Sequence, residues 1–586
     1  MKKFYTFLFI AWMMLLPSVV LADSVNEQQA LAKAMQFFSK GTQTRTAPQF
    51  ELIWDGEEVA TRATAEPAFF IFNRTDMPGF VIIAGDDSVS PVIGYSFENG
   101  FGKGEMPSNL RYWLEGVRGM ILQARAAGVT IQATETPRAG TPVVELATAK
   151  WDQGVPYNLE CPMVNNGTHQ GVTGCVQTAA AILCKYNRWP DYAVGTAPGY
   201  ATATEGISVP GRTFGNIYDY DLMPDQYVNY TSEQAAAVAR LMADLGVMNG
   251  ADYYTQATGA YTTDLYATMV TYMRYSKQAL LAYREGYNDA EWIALLRKEL
   301  DAGRPILYSG SGSAGGHAFI CDGYDSDNLF RFNWGWSGSA DGFYHVSSLV
   351  PGSYSFVDGQ DAIVDLVPDP ESASKSRDLL YTGIAGTTDG SRYYGMASST
   401  SNYAVNSPFM ITMPMFNFSI IPYNGQVAIA HFDKEGVLKG EISQRQSLAN
   451  LGVGYGSLMS LNCTIKQPIE RGDYIMAVYL ENSTQTLAPV RSYDGAPDRL
   501  ILMAASPTVE NVKSVTSLSF DRATRKLSIS TYEGAICSLK NADGAVVESA
   551  TKGSELIQFD CSALKGKHAL EVQFEEVTPF TIQLVF

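Results

Sequence analysis

Residues 171–186 read GVTGCVQTAAAILCKY, and this stretch decides how the central region folds. Two glycines and a threonine lead irregularly to Cys175, and apolar residues then recur at helical spacing. The pattern predicts a buried helix that begins at Cys175. The aligned peptide dipoles of such a helix place roughly half a positive charge beside the thiol, which favours the thiolate that a nucleophile requires. Cys184 lies inside the same helix among apolar neighbours, and we interpret it as a core residue, a role that Cys175 could also have.

A cysteine nucleophile also needs a base, which the fold and not the sequence brings near it. The chain has five histidines. His317 follows the glycine-rich stretch at 309–316 and begins an apolar, strand-like stretch at 318–324, where a substrate chain would have room. His169 lies in a polar loop, and the other three lack a comparable glycine setting. We therefore predict that His317 is the base for Cys175.

The glycine-rich stretch could also suggest a phosphate-binding loop. It lacks the Gly-Lys-Ser/Thr ending of a P-loop and precedes a strand instead of a helix. The chain has 42 Lys and Arg against 60 Asp and Glu, and its net charge of -18 repels phosphate backbones. We expect no nucleic-acid partner.

Cysteine usage indicates neither a disulfide scaffold nor a metal site. Seven cysteines are few for an exported chain of 586 residues, and none forms a Cys-x-x-Cys pair. Their odd number leaves at least one candidate free thiol. We expect no cofactor and no metal.

The chain begins with Met1-Lys2-Lys3, a short apolar run, and small residues before Asp23. This pattern predicts a signal peptide at 1–22, cleaved after Ala22, and a transmembrane anchor is the competing interpretation. No later stretch is long and apolar enough to span a bilayer, so we expect no integral membrane segment in the mature chain. The mature protein should be secreted, at the cell surface or in a periplasm.

Length and pattern together predict a multidomain chain of about four folded units. Helical spacing around two apolar strands predicts an α+β unit at 23–130. A stretch rich in Thr, Ala, Pro and Gly follows and is interpreted as a cleavable linker at 131–149. Helices and strands mix at 150–370, and short alternating strands predict two all-β sandwich modules at 371–506 and 507–586.

Four motifs in order carry a resemblance to a known family. They are QGVPYN at 153–158, TGCV at 173–176, GGHAF at 315–319 and NWGWSG at 333–338. They resemble the streptopain family of papain-like cysteine peptidases, and GFVIIAGDD at 79–87 is similar to that family's inhibitory prodomain. The resemblance implies a bacterial, secreted enzyme with a papain-like α+β catalytic domain at 150–370.

The resemblance also implies roles for the matching residues. Cys175 would attack the scissile carbonyl, and His317 would stabilise the thiolate and then protonate the leaving amine. The Gln153 amide and the N–H of Cys175 would receive the oxyanion. Asn333 and Trp334 would orient and shield the imidazole, although the division of roles between them stays open.

The remaining expected contacts are with the substrate. Gly174, Gly315, Gly316 and Trp336 would line the substrate-binding cleft, whose expected ligands are proteins or peptides.

The unit at 23–130 would act as an intramolecular inhibitor that is removed by cleavage between Thr134 and Lys150. An N-terminal binding domain that stays attached is the alternative.

For the whole protein, the rival hypotheses are a secreted adhesin with an inactive peptidase fold, and acyl transfer or amidase chemistry by the same pair. The β modules could attach the enzyme to a surface or act as an export signal, and Arg471-Gly472-Asp473 is interpreted as a turn.

Overall fold

The computed structural model describes most of the chain. The described residues are 24–39, 48–54, 67–87, 89–102, 108–126, 140–255, 257–312, 315–346, 359–387, 390–400, 403–502, 516–531, 534–553, 556–574 and 577–586. The predicted signal peptide therefore lies outside the described residues. Within them, no helix combines the length and the apolar character that crossing a membrane requires.

The chain divides into two compact units. Among the described residues, the first unit comprises those up to Phe101 and those from Glu115 to Ala126. The second unit comprises Gly102–Leu114 and Gly140–Phe586. The elements up to residue 126 are α1 (Glu27–Ser39), β1 (Phe50–Trp54), β2 (Phe69–Arg74), β3 (Phe80–Ala84), β4 (Val92–Ser96) and α2 (Ser108–Ala126).

The first unit is an α+β fold. Strands β1 to β4 pair in sequence order, each antiparallel to the next. The antiparallel strands β2 and β3 are the two apolar strands on which the prediction of an α+β unit depends. Helix α1 buries Ala30, Ala34, Phe37 and Phe38, four residues on one helical face, as amphipathic spacing predicts.

From Gly140 to Val364, the described residues of the second unit contain four α-helices and fifteen strands. They are β5 (Pro142–Glu145), β6 (Met163–Val164), β7 (His169–Gln170), α3 (Cys175–Asn187), β8 (Thr196–Ala197), β9 (Tyr200–Ala201), β10 (Ser208–Val209), β11 (Arg212–Thr213), α4 (Ser232–Met248), β12 (Asp252–Tyr253), β13 (Thr258–Gly259), α5 (Thr262–Thr271), β14 (Leu280–Tyr283), α6 (Asp289–Asp301), β15 (Ile306–Gly312), β16 (Gly315–Asp325), β17 (Phe330–Asn333), β18 (Gly342–Tyr344) and β19 (Asp361–Val364).

An antiparallel sheet in the order β18-β17-β16-β15-β19-β14 forms the base of this region. Helix α3 packs against β16 and β15. Ile320, Leu307 and Ile363, from three adjacent strands, share one hydrophobic core with Val176 and Ala180 of α3. The helix that begins with Cys175 is therefore held against the middle of the sheet.

Two boundaries differ from the sequence predictions. The glycine-rich stretch at 309–316 is largely strand, since β15 runs to Gly312 and β16 starts at Gly315. Of the predicted linker at 131–149, residues 131–139 lie outside the described residues, but β5 pairs with β16 along Val144↔Tyr324. The second unit therefore begins earlier than residue 150. Strand pairing over a long sequence separation overrides the loop-like composition of this segment.

The rest of the second unit is β structure. Its strands are β20 (Leu380–Thr382), β21 (Ile384–Gly386), β22 (Arg392–Tyr394), β23 (Ala397–Ser398), β24 (Pro408–Asn417), β25 (Tyr423–Phe432), β26 (Leu438–Glu441), β27 (Gln446–Leu451), β28 (Gly456–Thr464), β29 (Tyr474–Glu481), β30 (Thr486–Pro489), β31 (Arg491–Ser492), β32 (Arg499–Ile501), β33 (Ser517–Asp521), β34 (Lys526–Ser530), β35 (Ile536–Asn541), β36 (Val546–Thr551), β37 (Ile557–Asp560), β38 (Lys567–Phe574) and β39 (Val577–Val585).

These strands build two hydrophobic cores. Ile411 of β24 and Ile429 of β25 belong to the first core, and Leu527 of β34 and Leu570 of β38 belong to the second. The hairpin β21–β22 pairs with β33 of the second group, although it lies in the predicted module at 371–506. The two predicted modules are therefore not separate stretches of sequence. The protein is multidomain and mostly β, with some helices.

Candidate active site

Cys175 is the first residue of α3, as the sequence predicts. Gly174 precedes it with a φ of 87°, in the left-handed region. A Cβ at Gly174 would lie 2.8 Å from the carbonyl oxygen of Thr258, so a side chain has no room here. The glycine thus lets the chain turn sharply into the helix and sets the position of the thiol.

The strand that carries His317 meets the thiol directly. The N–H of Ala318 donates to Sγ of Cys175 at 3.4 Å. His317 is half-buried, and it lies opposite Gly310 of β15, which has no side chain to crowd it. The structure therefore brings the two predicted segments together from a distance of more than a hundred residues in sequence.

Burial acts on both groups. Burial raises the pKa of the Cys175 thiol, against the opposing effect of the N–H groups of Ala318, Val176 and Cys175 itself. Burial also lowers the pKa of His317. Burial therefore disfavours both the Cys175 thiolate and the His317 imidazolium when either is charged alone. If the thiol transfers its proton to the imidazole, the two opposite charges stabilise each other as an ion pair.

Gln153 lies beside the turn that leads to Cys175. Its carbonyl oxygen accepts from the N–H of Thr173 at 3.0 Å. Asp152 accepts from the N–H of Gln153 at 2.6 Å and from the hydroxyl of Ser337 at 2.7 Å. The segment that carries Gln153 is thus fixed to both the Cys175 turn and the segment around 337.

Asn333 ends β17 and is fully buried. Its Nδ2 donates to Thr148 Oγ1 and to the Ala149 carbonyl, each at 3.0 Å, and its Oδ1 accepts from the N–H of Gly335 at 3.1 Å. These bonds fix the chain at the end of β17. Thr148 and Ala149 fall within the predicted linker, so no local pattern predicted their contact with Asn333.

Trp334 is buried against the strand of His317. Its ring lies 4.6 Å from that of Phe319, centroid to centroid, and its Nε1 donates to the Ala340 carbonyl at 3.1 Å. Its backbone N–H donates to Asp341, whose pKa burial raises to about 7. Trp113, in the same compact unit, lies with its ring 6.5 Å from that of Trp334.

The predicted substrate-binding residues occupy different settings. Gly315 and Gly316 pair with Gly312 and Ser311 near the end of the β15–β16 hairpin. Trp336 is half-buried, and its Nε1 has no hydrogen-bond partner among the described residues. The described residues contain no group of three or more His, Cys, Asp or Glu that could hold a metal ion.

Comparison with known proteins gives two family matches. Residues 151–344 match the Peptidase C10 family, and residues 22–121 match the Spi protease inhibitor family. The first match contains all the predicted site residues. The second contains most of the first compact unit.

The chain is also similar to characterised thiol proteases. The chain is 32% identical over 368 residues to the thiol protease/hemagglutinin PrtT of Porphyromonas gingivalis, an alignment that covers 60% of this chain and 42% of the relative. It is 28% identical to streptopain of Streptococcus pyogenes, over 58% of this chain and 92% of streptopain. The alignment thus spans less than half the length of the first of these relatives.

Two solved structures are also similar. A prointerpain A fragment of Prevotella intermedia is 29% identical, and the alignment covers 55% of this chain and all of the fragment, with a TM-score of 0.46. Active interpain A of the same organism is 36% identical over 39% of this chain and 97% of interpain, with a TM-score of 0.35.

Proposed function

Because this chain belongs to the streptopain family of cysteine peptidases, we propose that the whole protein is the precursor of a secreted cysteine endopeptidase. Its substrates are proteins or peptides, and removal of its N-terminal region activates it. The observation that carries the proposal is the 3.4 Å contact between the Ala318 N–H and Sγ of Cys175, which places the residue after His317 against the thiol.

The chemistry follows from this arrangement. His317 takes the proton of Cys175, and the thiolate attacks the scissile carbonyl carbon. The carbonyl oxygen becomes an oxyanion, which the N–H of Cys175 and the Gln153 amide receive. When the intermediate collapses, the imidazolium of His317 gives its proton to the leaving amine, and an acyl-enzyme remains.

The second half of the cycle uses the same groups. His317 removes a proton from water as the water attacks the acyl carbon, and the acid leaves as Cys175 is regenerated. Asn333 and Trp334 act as positioning residues in this proposal, because Asn333 holds the end of β17 and Trp334 packs beside Phe319 on the strand of His317. Gly174, Gly315, Gly316 and Trp336 border the substrate cleft in this proposal.

The N-terminal region acts as an intramolecular inhibitor in this proposal. The match of residues 22–121 to a protease inhibitor family supports this role. Residues Gly102–Leu114 of the proposed prodomain belong to the compact unit that holds Cys175, and Trp113 packs near Trp334 there. Its removal would therefore change the surroundings of the positioning residues.

The finer architecture belongs to the same proposal. We infer a papain-like arrangement for the region that carries the site, because α3 begins at the nucleophile and packs on an antiparallel sheet that carries the base. We also infer β-sandwich modules after residue 370, where pairs of sheets share each core. The signal peptide predicted at 1–22 supports export, to the cell surface, the periplasm or the medium.

Hydrolysis of casein by the purified, processed protein tests the proposal. We expect turnover that a thiol alkylator blocks and that Cys175→Ala abolishes. Cys184→Ala is the matched control, because Cys184 is a fully buried residue of the same helix. Folded wild-type protein that binds casein without cleaving it would contradict the proposal and favour the adhesin.

A further inference from the structure

A buried carboxylate lies across the sheet from the Cys175 contact. Ala318 of β16 is directly opposite Ser309 of β15, and Ser309 is directly opposite Asp361 of β19. Directly opposite residues of antiparallel strands point to the same face of a sheet. The three side chains therefore form one row, and strand spacing puts Asp361 about 10 Å from Ala318, Cα to Cα.

The next row of the sheet shows which face this is. Two residues further along each strand, Ile320, Leu307 and Ile363 belong to the core that α3 buries. Side chains two residues apart on a strand share a face. Asp361 thus lies on the face that carries Cys175, one row away from the hydrophobic core.

The carboxyl group of Asp361 is only partly satisfied. Asp361 is 8% exposed. The Thr262 hydroxyl donates to its Oδ2 at 2.9 Å, and the Ser309 hydroxyl also donates to the carboxyl group. Its Oδ1 is shielded from solvent and has no hydrogen-bond partner among the described residues, and no Lys or Arg of these residues pairs with it. A buried carboxylate that lacks a countercharge is costly, so a cation that reaches this group gains a strong interaction.

Apolar residues lie close to Asp361 in the sheet and on the segment before α5. Ala318 lines the sheet side, and Ala260, just before α5, packs against the same core as Cys175. Tyr283 of β14 lies directly opposite Asp361. Among the described residues, the hydroxyls of Tyr283 and Tyr308 interact electrostatically with Asp361, and both are neutral near physiological pH because burial raises their pKa values even further above it.

We propose that Asp361 forms the base of a substrate side-chain subsite next to Cys175 and that this subsite selects Lys or Arg. The inference rests on the proposed peptidase function and names its substrate class. The aliphatic stem of the basic side chain lies along Ala318 and Ala260, and its charged end replaces the missing partner of Oδ1.

Burial raises the pKa of Asp361 to about 6. The carboxyl group is therefore ionised above that pH and neutral below it. The preference for a basic side chain over a neutral one should be full at higher pH and should fall as the pH drops through about 6.

The first test uses the processed wild-type enzyme and needs no variant. A peptide library that is varied at each position near the scissile bond is compared for Lys, acetyl-lysine and norleucine, which share an unbranched stem. We expect one position where kcat/KM for Lys exceeds that for norleucine by about tenfold or more, and where acetyl-lysine loses the advantage. Equal rates for Lys and norleucine at every position would overturn the inference.

The second test assigns the preference to Asp361. Asp361→Asn should reduce the ratio of kcat/KM for Lys to that for norleucine by about tenfold, whereas Asp264→Asn should leave the ratio as it is. Asp264 is an exposed carboxylate on the same helix as Thr262, so it controls for net charge. An unchanged ratio in Asp361→Asn would overturn the inference.

The outcomes separate this inference from the proposed function. If no peptide of the library is cleaved, or if cleavage continues unchanged after alkylation of Cys175, the peptidase proposal fails. If the peptides are cleaved by an alkylation-sensitive activity without any preference for Lys or Arg, only the subsite fails.

Discussion

His317 and His431 both lie on long antiparallel strands, β16 and β25, but their surroundings differ in every respect that matters for chemistry. His431 is fully buried, its Nε2 lies 2.8 Å from Asp473, and Lys439 contacts the same carboxylate oxygen at 2.8 Å. His317 is half-buried, lies opposite a glycine across the hairpin, and precedes Ala318, whose N–H donates to the Cys175 thiol. A histidine next to a carboxylate is therefore not enough for a catalytic site. A catalytic histidine must also be accessible to substrate and lie near a nucleophile.

The pKa of Asp473 illustrates the same contrast. Burial alone would raise it, but hydrogen bonds from Lys439, the Glu470 N–H and His431 outweigh burial and lower it. The group is a stable anion within an ion-pair network. This also confirms the interpretation of Arg471-Gly472-Asp473 as a turn, because the Asp473 side chain is buried and β29 begins at the next residue.

The largest difference should appear when each of the two histidines is separately exchanged for alanine. His317→Ala should reduce kcat/KM about a thousandfold with little change in Tm, because it removes the general base and acid. His431→Ala should leave kcat/KM as it is and destabilise the protein by about 1–3 kcal/mol, because Asp473 loses a buried partner. Peptide hydrolysis and calorimetry measure both. A folded His431→Ala protein without activity would break the comparison.

A hundredfold effect is expected at Gln153. Gln153→Ala should lower kcat by about a hundredfold or more and change KM little, because an oxyanion donor acts mainly in the transition state. Gln226→Ala is the control, since Gln226 is exposed. A rise in KM with constant kcat would instead assign Gln153 to ground-state substrate binding.

Asn333 should show a smaller loss of activity, together with a loss of stability. Asn333→Ala leaves the partners at Thr148, Ala149 and Gly335 unsatisfied, which should cost about 1–3 kcal/mol of stability. If Asn333 positions His317 through the end of β17, as we propose, kcat should fall roughly tenfold. Thermal unfolding and steady-state kinetics on one preparation test both. Unchanged Tm would contradict the structural part of this role.

Local pattern predicted much of this structure. The start of α3 at Cys175 follows from a glycine and helical spacing. The helices at 232–248 and 289–301 begin after capping boxes at Thr231 and Asn288, which are local signals of the same kind. Contacts that depend on register between distant strands could not be predicted. Three such contacts are the pairing of β5 with β16, the pairing of β22 with β33, and the pairing of Asp361 with Ser309.

The pH dependence of Cys175 alkylation tests the central claim most directly. Cys175 is partly exposed and the other six cysteines are buried, so iodoacetamide reports on this thiol. In the processed wild-type enzyme, we predict rapid alkylation that persists from acidic to neutral pH, because His317 holds the thiolate. His317→Ala should lose this plateau and react only as the free thiol ionises at alkaline pH. Identical profiles for the two proteins would contradict the Cys175–His317 pair.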